Sequence, residues 1–433
     1  MKRILIFKLD EIAYNSTKLF AEVLGKELEK LGATVEYFDI KEHSDIAELE
    51  AYANNHYDCI VDFNSKLPGL VTEDDHYFMD DFEAPFVNYI VDHPVYHHKN
   101  LAYKLKNYNV VCLDDTHAEY IRKYYPHIKN VWVRPLGAIQ AKDASPNPIE
   151  EKQWHERKHE LLFMGTYLAP EEYRKVIDNL PPAMSNGIDK IIQIMLKDTS
   201  ITYEEAVSRA LANDGLEGMI EFHVYAQMMC LADVYVRAYF RDKVLNAFAD
   251  TGINMTICGE KYDKSPIAAK PNVTILPQMN YVDSLAAMSD AKYVLNIMPW
   301  FKAGIHDRVV NAMINGAVSV SDDSLMMDAY FDRNGDYLRY SIADLNTVSE
   351  AVGFINQCEE QDSIEDNKEN KGNKENKKNK GNKENKEDKA YNMDMHVTGG
   401  LSMAKRGRGK AAGMTFANVA NDILKLVELD AQI

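Results

Sequence analysis

A glycine-containing loop that leads into a short helix is the part of this sequence best suited to chemistry. Residues 304–324 read GIHDRVVNAMINGAVSVSDDS and follow the apolar run YVLNIMPW at 293–300. Strand, loop, helix and strand in this order leave free backbone N–H groups and the positive end of a helix dipole at the loop. Arg308 adds a planar guanidinium that suits a phosphate. The pattern predicts an anion site at 305–308; an ordinary strand–helix–strand unit with a solvated arginine is the alternative.

Other polar side chains stand where predicted strands end. Asp92, His93 and Pro94 close the run PFVNYIVDHP, and Pro94 restricts His93 to an extended backbone. Because ligands bind at the carboxyl ends of parallel strands, Asp92 can act as a general base or can orient His93. In the alternative interpretation, Asp92 caps the helix after Pro94 and His93 is partly buried. The further candidates for a cleft are Lys8, Asp10, His97, Arg237 and Arg241.

No group of residues has the spacing of a metal site. The adjacent His97 and His98 would point about 100° apart on a helix, so they cannot easily bind one ion. The five cysteines are scattered and form no CxxC pair, which indicates neither a zinc site nor a disulfide framework. We therefore expect no metal, and we expect a reducing, cytoplasmic location.

The elements around these residues alternate between strands and helices. Short apolar runs such as RILIF at 3–7 and ELLFMG at 160–165 are separated by segments with helical spacing, such as 15–31. This alternation predicts parallel sheets covered by helices on both faces. We predict an α/β protein with two Rossmann-like doubly wound domains facing a cleft. The second domain would carry a helical insertion, and a C-terminal helix would pack back on the body.

Length and composition predict two domains. A chain of 433 residues is too long for one hydrophobic core. The polar, proline-containing stretch IQAKDASPNPIEEKQ is typical of an interdomain linker. We place the first domain at 1–138, the linker at 139–153 and the second domain at 154–358.

The region after the second domain has a different composition. Residues 366–389 contain only Lys, Asn, Glu, Asp and Gly, with no aliphatic or aromatic side chain that could pack. This predicts a disordered insertion over 359–395. The amphipathic run MTFANVANDILKLVEL then predicts a C-terminal helical segment over 396–433.

Charge and hydropathy exclude two classes of partner. The net charge of −18 argues against a general nucleic-acid binder. No apolar run approaches the roughly 20 residues that a membrane-spanning helix needs. We expect no nucleic-acid partner and no transmembrane segment.

Several of these motifs resemble those of group 1 glycosyltransferases of the GT-B fold, most closely the CgeB-like branch, named for a spore maturation protein. The resemblance rests on the strand end ICG at 257–259, on Asn296 at a later strand end, and on the helix start at Arg308. The turn NGA at 315–317 and the segment NYIVDHPVYHH at 88–98 also resemble that branch. Together these segments extend the similarity over most of the chain.

The resemblance implies a glycosyltransferase that moves a sugar from a nucleotide-diphosphate donor to an acceptor. The second domain would hold the donor, and the first domain would face the acceptor, which could be a glycan, a protein or a lipid. No cofactor is implied besides this donor substrate. The implied donor-binding residues are Gly165, Thr166, Gly259, Asn296, Gly304, Ile305, His306, Asp307, Arg308 and Asn311.

One departure from the family pattern bears on mechanism. Retaining members of the larger clan carry two glutamates at the positions held here by Ala303 and Asn311. Their absence favours an inverting transfer, with Asp92 or His93 as the catalytic base. No metal is required if cationic side chains and a helix terminus meet the diphosphate. The absence of the glutamates also admits two alternatives, which are a nucleotide-sugar epimerase and a non-catalytic nucleotide-sugar-binding or surface-assembly homologue.

Overall fold

The computed structural model describes residues 2–8, 16–40, 46–72, 74–145, 149, 152–376 and 399–430. Within these ranges, no helix combines the length and the apolar character needed to cross a membrane.

The first sheet has six parallel strands in the order β2-β1-β3-β4-β5-β6. Along β1, Ile4 and Ile6 pack on one face while Leu5 and Phe7 pack on the other. Successive side chains of a strand point to opposite faces, so such an apolar run is buried on both sides. The strands are β1 Arg3–Lys8, β2 Thr34–Asp39, β3 Cys59–Phe63, β4 Phe86–Ile90, β5 Tyr108–Cys112 and β6 Asn130–Val133.

The second sheet also has six parallel strands, in the order β12-β11-β10-β7-β8-β9. Its last strand has two residues, too few for a sequence pattern to reveal. The strands are β7 His159–Met164, β8 Met255–Cys258, β9 Val273–Leu276, β10 Ala291–Asn296, β11 Val318–Ser321 and β12 Leu338–Arg339.

Helices cover both sheets. The five helices between β7 and β8 form the helical insertion that the sequence predicted. The helices are α1 Ser16–Lys30, α2 Ile46–Ala53, α3 His98–Leu101, α4 Asp115–Tyr124, α5 Ala141–Ala144, α6 Pro170–Asp178, α7 Pro182–Lys197, α8 Tyr203–Asn213, α9 Phe222–Met228, α10 Leu231–Asp250, α11 Tyr281–Ser289, α12 Asp307–Ile314, α13 Leu325–Tyr330, α14 Asn346–Asn376, α15 Gly400–Ala411 and α16 Phe416–Asp430.

The last helix returns to the first sheet. The ring of Phe416 stacks on that of Phe20 in α1 with centroids 5.9 Å apart. Just before α16, the carbonyl of Met414 accepts the backbone N–H of Ala138 at 2.7 Å. The predicted α/β class, the two doubly wound sheets and the returning C-terminal helix are thus confirmed. The domain limits 1–138 and 154–358 remain our proposal. The first domain would end after β6, and the second would begin before β7.

Helix α14 extends into the region whose composition predicted disorder. It continues to Asn376, through the first half of the segment 359–395 for which the composition predicted disorder. Lys and Glu have high intrinsic helix propensity. Residues 377–395 of that segment lie outside the described residues.

Candidate functional site

A cavity of about 270 Å³ lies between the carboxyl ends of the two sheets. The strand order reverses between β1 and β3 in the first sheet and between β7 and β10 in the second. Connections leave such a point in opposite directions and open a crevice that binds ligands. Seven of the residues predicted from the sequence line this cavity: Asp92, Gly165, Thr166, Gly259, His306, Asp307 and Arg308.

Arg308 lies in the first turn of α12, with its guanidinium over the ring of Phe163 at 5.4 Å. Its Nη1 donates to Oδ1 of Asn296 at 3.0 Å, and the Asn296 amide donates to Oγ of Ser321, also at 3.0 Å. Asn296 is fully buried at the end of β10. It therefore holds the guanidinium in place and does not itself line the cavity. Burial lowers the pKa of Arg308, an effect that Asp307 opposes.

A second arginine stands behind the cavity wall. Nη1 of Arg241, on α10, donates to the carbonyl of Thr166 at 2.9 Å. Burial, together with the nearby Arg308, lowers the pKa of Arg241 to about 10. Among the described residues, neither guanidinium forms a salt bridge, and Nε of Arg241 is buried without a hydrogen-bond partner. Buried cations without a counter-ion are unfavourable, so this side of the cavity suits an anion.

His306, Asp307 and Tyr281 form a hydrogen-bonded group at the start of α12. The Nδ1 atom of His306 accepts the backbone N–H of Arg308 at 3.2 Å and lies 2.9 Å from Oδ1 of Asp307. The hydroxyl of Tyr281 donates to Oδ2 of Asp307 at 2.5 Å. Burial lowers the pKa of His306. Burial would raise the pKa of Asp307, but the neighbouring His306 and the hydrogen bond from Tyr281 hold it well below its usual range.

The glycines at the ends of β7 and β8 allow a close approach of two backbones. A Cβ atom on Gly259 would stand 2.2 Å from the carbonyl oxygen of Gly165. The hydroxyl of Tyr262 donates to that same carbonyl at 3.0 Å. Any side chain at 259 would push the strand ends apart. The cavity is thus bordered by backbone at Gly165 and Gly259.

Asp92 forms the opposite side of the cavity, at the end of β4. Its Oδ2 accepts from the side-chain amide of Asn64 at 3.0 Å, and Oδ1 of Asn64 accepts the backbone N–H of Val91 at 3.0 Å. Asn64 adopts a left-handed backbone, with φ of 50°. Sequence analysis missed Asn64, although its place at the end of β3 was a usable signal. Asn64 thus fixes the orientation of the Asp92 carboxylate.

His93 does not face the cavity. It is 2% exposed, and its Nδ1 accepts the backbone N–H of Val95 at 3.1 Å, so His93 and not Asp92 caps the turn at Pro94. This leaves Nε2–H to donate to Oε2 of Glu204 at 3.2 Å. Glu204 belongs to the helical insertion, which the sequence pattern could not place against this strand. Both ring nitrogens have protein partners, so we retain only Asp92 as the candidate base.

Gly304 and Ile305 hold the two halves of the protein together and do not line the cavity. A Cβ atom on Gly304 would lie 2.4 Å from the carbonyl oxygen of Leu113, and Ile305 is fully buried. The neighbouring backbone N–H of Ala303 donates to Oδ2 of Asp114 at 2.8 Å. Gly304 therefore packs against the chain that follows β5, and Ile305 lies in the core.

Asn311 is likewise committed to the protein. Its Oδ1 accepts the backbone N–H of Ile139 at 2.8 Å, and its amide donates to the hydroxyl of Tyr281 at 2.9 Å. One turn later, Oδ1 of Asn315 accepts the backbone N–H of Ala141 at 2.7 Å. The position at which retaining relatives would carry a glutamate serves here to hold the predicted linker.

The other cleft candidates lie away from the cavity wall. Lys8 pairs with Asp39 at 3.5 Å, and Arg237 pairs with Asp233 at 2.7 Å. The guanidinium of Arg237 also lies 4.4 Å from the centre of the Trp300 ring. His97 is half-buried, and burial lowers its pKa. Asp10 lies outside the described residues.

Searching the described part of the chain for three or more His, Cys, Asp or Glu side chains able to share a metal ion finds none. The prediction of metal independence stays a prediction. All five cysteines are free thiols, four of them buried: Cys59, Cys112, Cys258 and Cys358.

Comparison with known proteins shows similarity of structure only. No family model matches the sequence, and no curated protein matches it. A sucrose-phosphate synthase from Thermosynechococcus elongatus superposes with a TM-score of 0.53 at 10% identity, covering 100% of both chains. An alpha-glucosyltransferase in complex with UDP-glucose and DNA containing an abasic site gives 0.55 at 9% identity, covering 98% of both chains. An alpha-glucosyltransferase in complex with UDP and a 13-mer DNA gives 0.51 at 10% identity, again over 98% of both.

These similarities establish the architecture. Two six-stranded parallel sheets that face one cleft, closed by a returning C-terminal helix, are the GT-B arrangement of glycosyltransferases. The CgeB-like branch is not among these similarities and remains a prediction from the sequence.

Proposed function

We propose that this protein is a glycosyltransferase that takes a sugar from a nucleotide-diphosphate donor and transfers it to an acceptor. The observation that carries the proposal is a pair of arginines that form no salt bridge among the described residues. Arg308, at the start of α12, lines the cavity between the two sheets, and Arg241, on α10, lies behind the cavity wall. A diphosphate would supply the missing negative charge.

The arrangement suits an inverting transfer. The second sheet would hold the donor, with its diphosphate at Arg308 and the backbone at Gly165 and Gly259. Asp92 stands on the opposite side of the cavity, held by Asn64, where it can accept the proton of an acceptor hydroxyl. Developing negative charge on the departing diphosphate would be stabilised by the arginines and by the dipole of α12, which is why we propose that no metal is needed.

The structural neighbours support a nucleotide donor without identifying it. Two of them are described as complexes with UDP or UDP-glucose, and both also contain DNA. We propose UDP as the first nucleotide to test. Because the protein has a net charge of −18, we propose an acceptor other than nucleic acid. We propose a cytoplasmic location because the five cysteines are free thiols.

A non-catalytic binding homologue is the second candidate. The observation in its favour is that both positions of the retaining glutamates are committed to structural contacts: Ala303 bonds Asp114 through its backbone, and Asn311 holds Ile139. An epimerase would need no acceptor and would convert the sugar nucleotide by itself.

Two measurements test the proposal in order. Thermal stabilisation by a panel of nucleoside diphosphates and nucleotide sugars identifies the donor class, because a ligand that binds the folded state raises its stability. Turnover of the stabilising donor is then compared between wild type, Asp92→Asn and the control Asp115→Asn, which changes an exposed acid in the first turn of α4.

Asp92→Asn should lower turnover by about a hundredfold to ten-thousandfold while nucleotide affinity is kept. Asp115→Asn should retain both. Wild-type turnover in Asp92→Asn would remove Asp92 from the mechanism, and binding without turnover in wild type would favour the binding homologue.

A further inference from the structure

His306, one of the donor-binding residues predicted from the sequence, lines the cleft but has no role in the transfer mechanism above. The side chain lines the cavity beside Arg308, and the rings of Trp300 and Phe301 flank it with centroids 5.8 and 6.0 Å away. Its Nδ1 is held by protein groups, and Nε2 has no hydrogen-bond partner among the described residues. The one polar atom of the ring left for a ligand is therefore Nε2.

The surroundings of Nδ1 fit two protonation states of the ring. When the ring is neutral and carries its proton on Nε2, Nδ1 accepts the backbone N–H of Arg308 at 3.2 Å. When the ring is protonated, Nδ1–H can donate to Oδ1 of Asp307, which lies 2.9 Å away. Asp307 is itself fixed by the hydroxyl of Tyr281 at 2.5 Å. This nitrogen therefore has a suitable partner in each protonation state.

The charges that face His306 predict which state each form of the protein adopts. Asp307 and Arg308 face it from α12, Arg241 faces it from α10, and Tyr281 acts through Asp307 from α11. In the empty protein, burial and the two arginines favour the neutral ring. A diphosphate in the cleft would neutralise those arginines and add negative charge beside Nε2, which favours the protonated ring.

We propose that His306 is a proton-donating group for the diphosphate: Nε2–H hydrogen-bonds a phosphate oxygen, and the ring takes up a proton when a nucleoside diphosphate binds. The inference rests on the proposed nucleotide-binding function. During transfer, the acceptor hydroxyl forms a bond to the sugar carbon and passes its proton to Asp92. The bond from that carbon to the phosphate oxygen breaks with its electron pair going to the oxygen, and the imidazolium of His306 donates its hydrogen bond to the departing oxygen.

The test is isothermal titration calorimetry with uridine diphosphate near pH 6.5, in buffers of different ionisation enthalpy, which reports protons taken up per nucleotide bound. Wild type should take up more protons than His306→Gln, by roughly half a proton or more at a pH close to the ordinary histidine pKa. His76→Gln is the matched control, because His76 is exposed and pairs with Asp81 away from the cleft. It should behave as wild type does.

A second variant separates proton uptake from a merely structural role. Asp307→Asn keeps His306 but removes the carboxylate that accepts from protonated Nδ1, so proton uptake should fall towards that of His306→Gln. If His306→Gln does not fold, nitrogen-15 histidine spectra of wild type with and without uridine diphosphate report the same change at one ring.

The outcomes distinguish the two proposals. Binding with equal proton uptake in wild type and His306→Gln, or with no uptake in either, overturns the role of His306 and leaves nucleotide binding intact. Absence of binding of uridine diphosphate and of the other nucleoside diphosphates in wild type overturns both.

Discussion

Replacing Arg308 by Met should weaken nucleotide binding without unfolding the protein. Without nucleotide, the buried guanidinium forms no salt bridge among the described residues, although the charge of the nearby Asp307 favours it. Its removal therefore relieves a desolvated charge, while Oδ1 of Asn296 loses its donor. A stranded buried acceptor costs about 1–3 kcal/mol, and the relieved charge offsets much of this. We expect the free energy of unfolding to change by less than about 1 kcal/mol.

The effect on affinity should be much larger. Loss of one charge-assisted contact with a diphosphate costs roughly 1.5–3 kcal/mol, about a tenfold to hundredfold rise in Kd. The assay is calorimetric titration with uridine diphosphate, together with differential scanning calorimetry of the empty proteins.

Arg237→Met provides the matched control, because this arginine is paired. Its removal leaves Asp233 buried with the hydroxyl of Tyr96 as its remaining partner, at 2.5 Å. Breaking a buried ion pair from one side costs about 3–5 kcal/mol, so Arg237→Met should melt several degrees lower. If Arg308→Met binds uridine diphosphate as tightly as wild type, or if it melts as low as Arg237→Met, our interpretation of Arg308 as an anion contact is wrong.

Two further predictions concern stability. Burial lowers the pKa of His117 to about 4, against an ordinary value of about 6.5. Stability from the neutral ring is therefore complete above pH 6.5 and is lost as the pH falls towards 4. Urea unfolding at pH 7 and pH 5 should differ by about 2 kcal/mol more in wild type than in His117→Leu, and an equal difference would contradict the assignment. Gly304→Ala should lower the melting temperature, since overpacking against Leu113 costs about 1–3 kcal/mol. In the control Gly353→Ala, the added Cβ atom meets nothing within 4 Å, so this change should be neutral or stabilising. Equal melting temperatures of the two variants would exclude a tight contact at Gly304.

Local sequence patterns predicted much of the architecture. The alternation of Ile4 and Ile6 with Leu5 and Phe7 predicts a strand buried on both faces, because side chains alternate with a period of two. Helix α12 was also predictable, with a polar start before Asp307 and a stop at Gly316, which adopts a φ of 76°. The end of helix α14 was not predictable, since a composition rich in Lys, Glu and Asn is compatible with either disorder or a helix.

Part of the candidate site could also be predicted from the sequence. Asp92, Gly165, Gly259 and Arg308 line the cavity because each follows the carboxyl end of a parallel strand, and the fold class alone brings those ends to one crevice. These residues converge because parallel strands joined by helices all end at the same edge of a sheet, and the alternation of strands and helices can be predicted from the sequence.

Partners distant in sequence were decided by the tertiary structure alone. His93 has the same local signal as Asp92, yet it turns inward to Glu204, which is 111 residues away on an insertion helix. Asn311 lies in the strongest motif of the chain, yet it holds Ile139, 172 residues earlier. A strand end or a helix start determines where a side chain begins. What it contacts depends on which distant helix packs over it, and that depends on the burial of apolar surface summed over the whole chain.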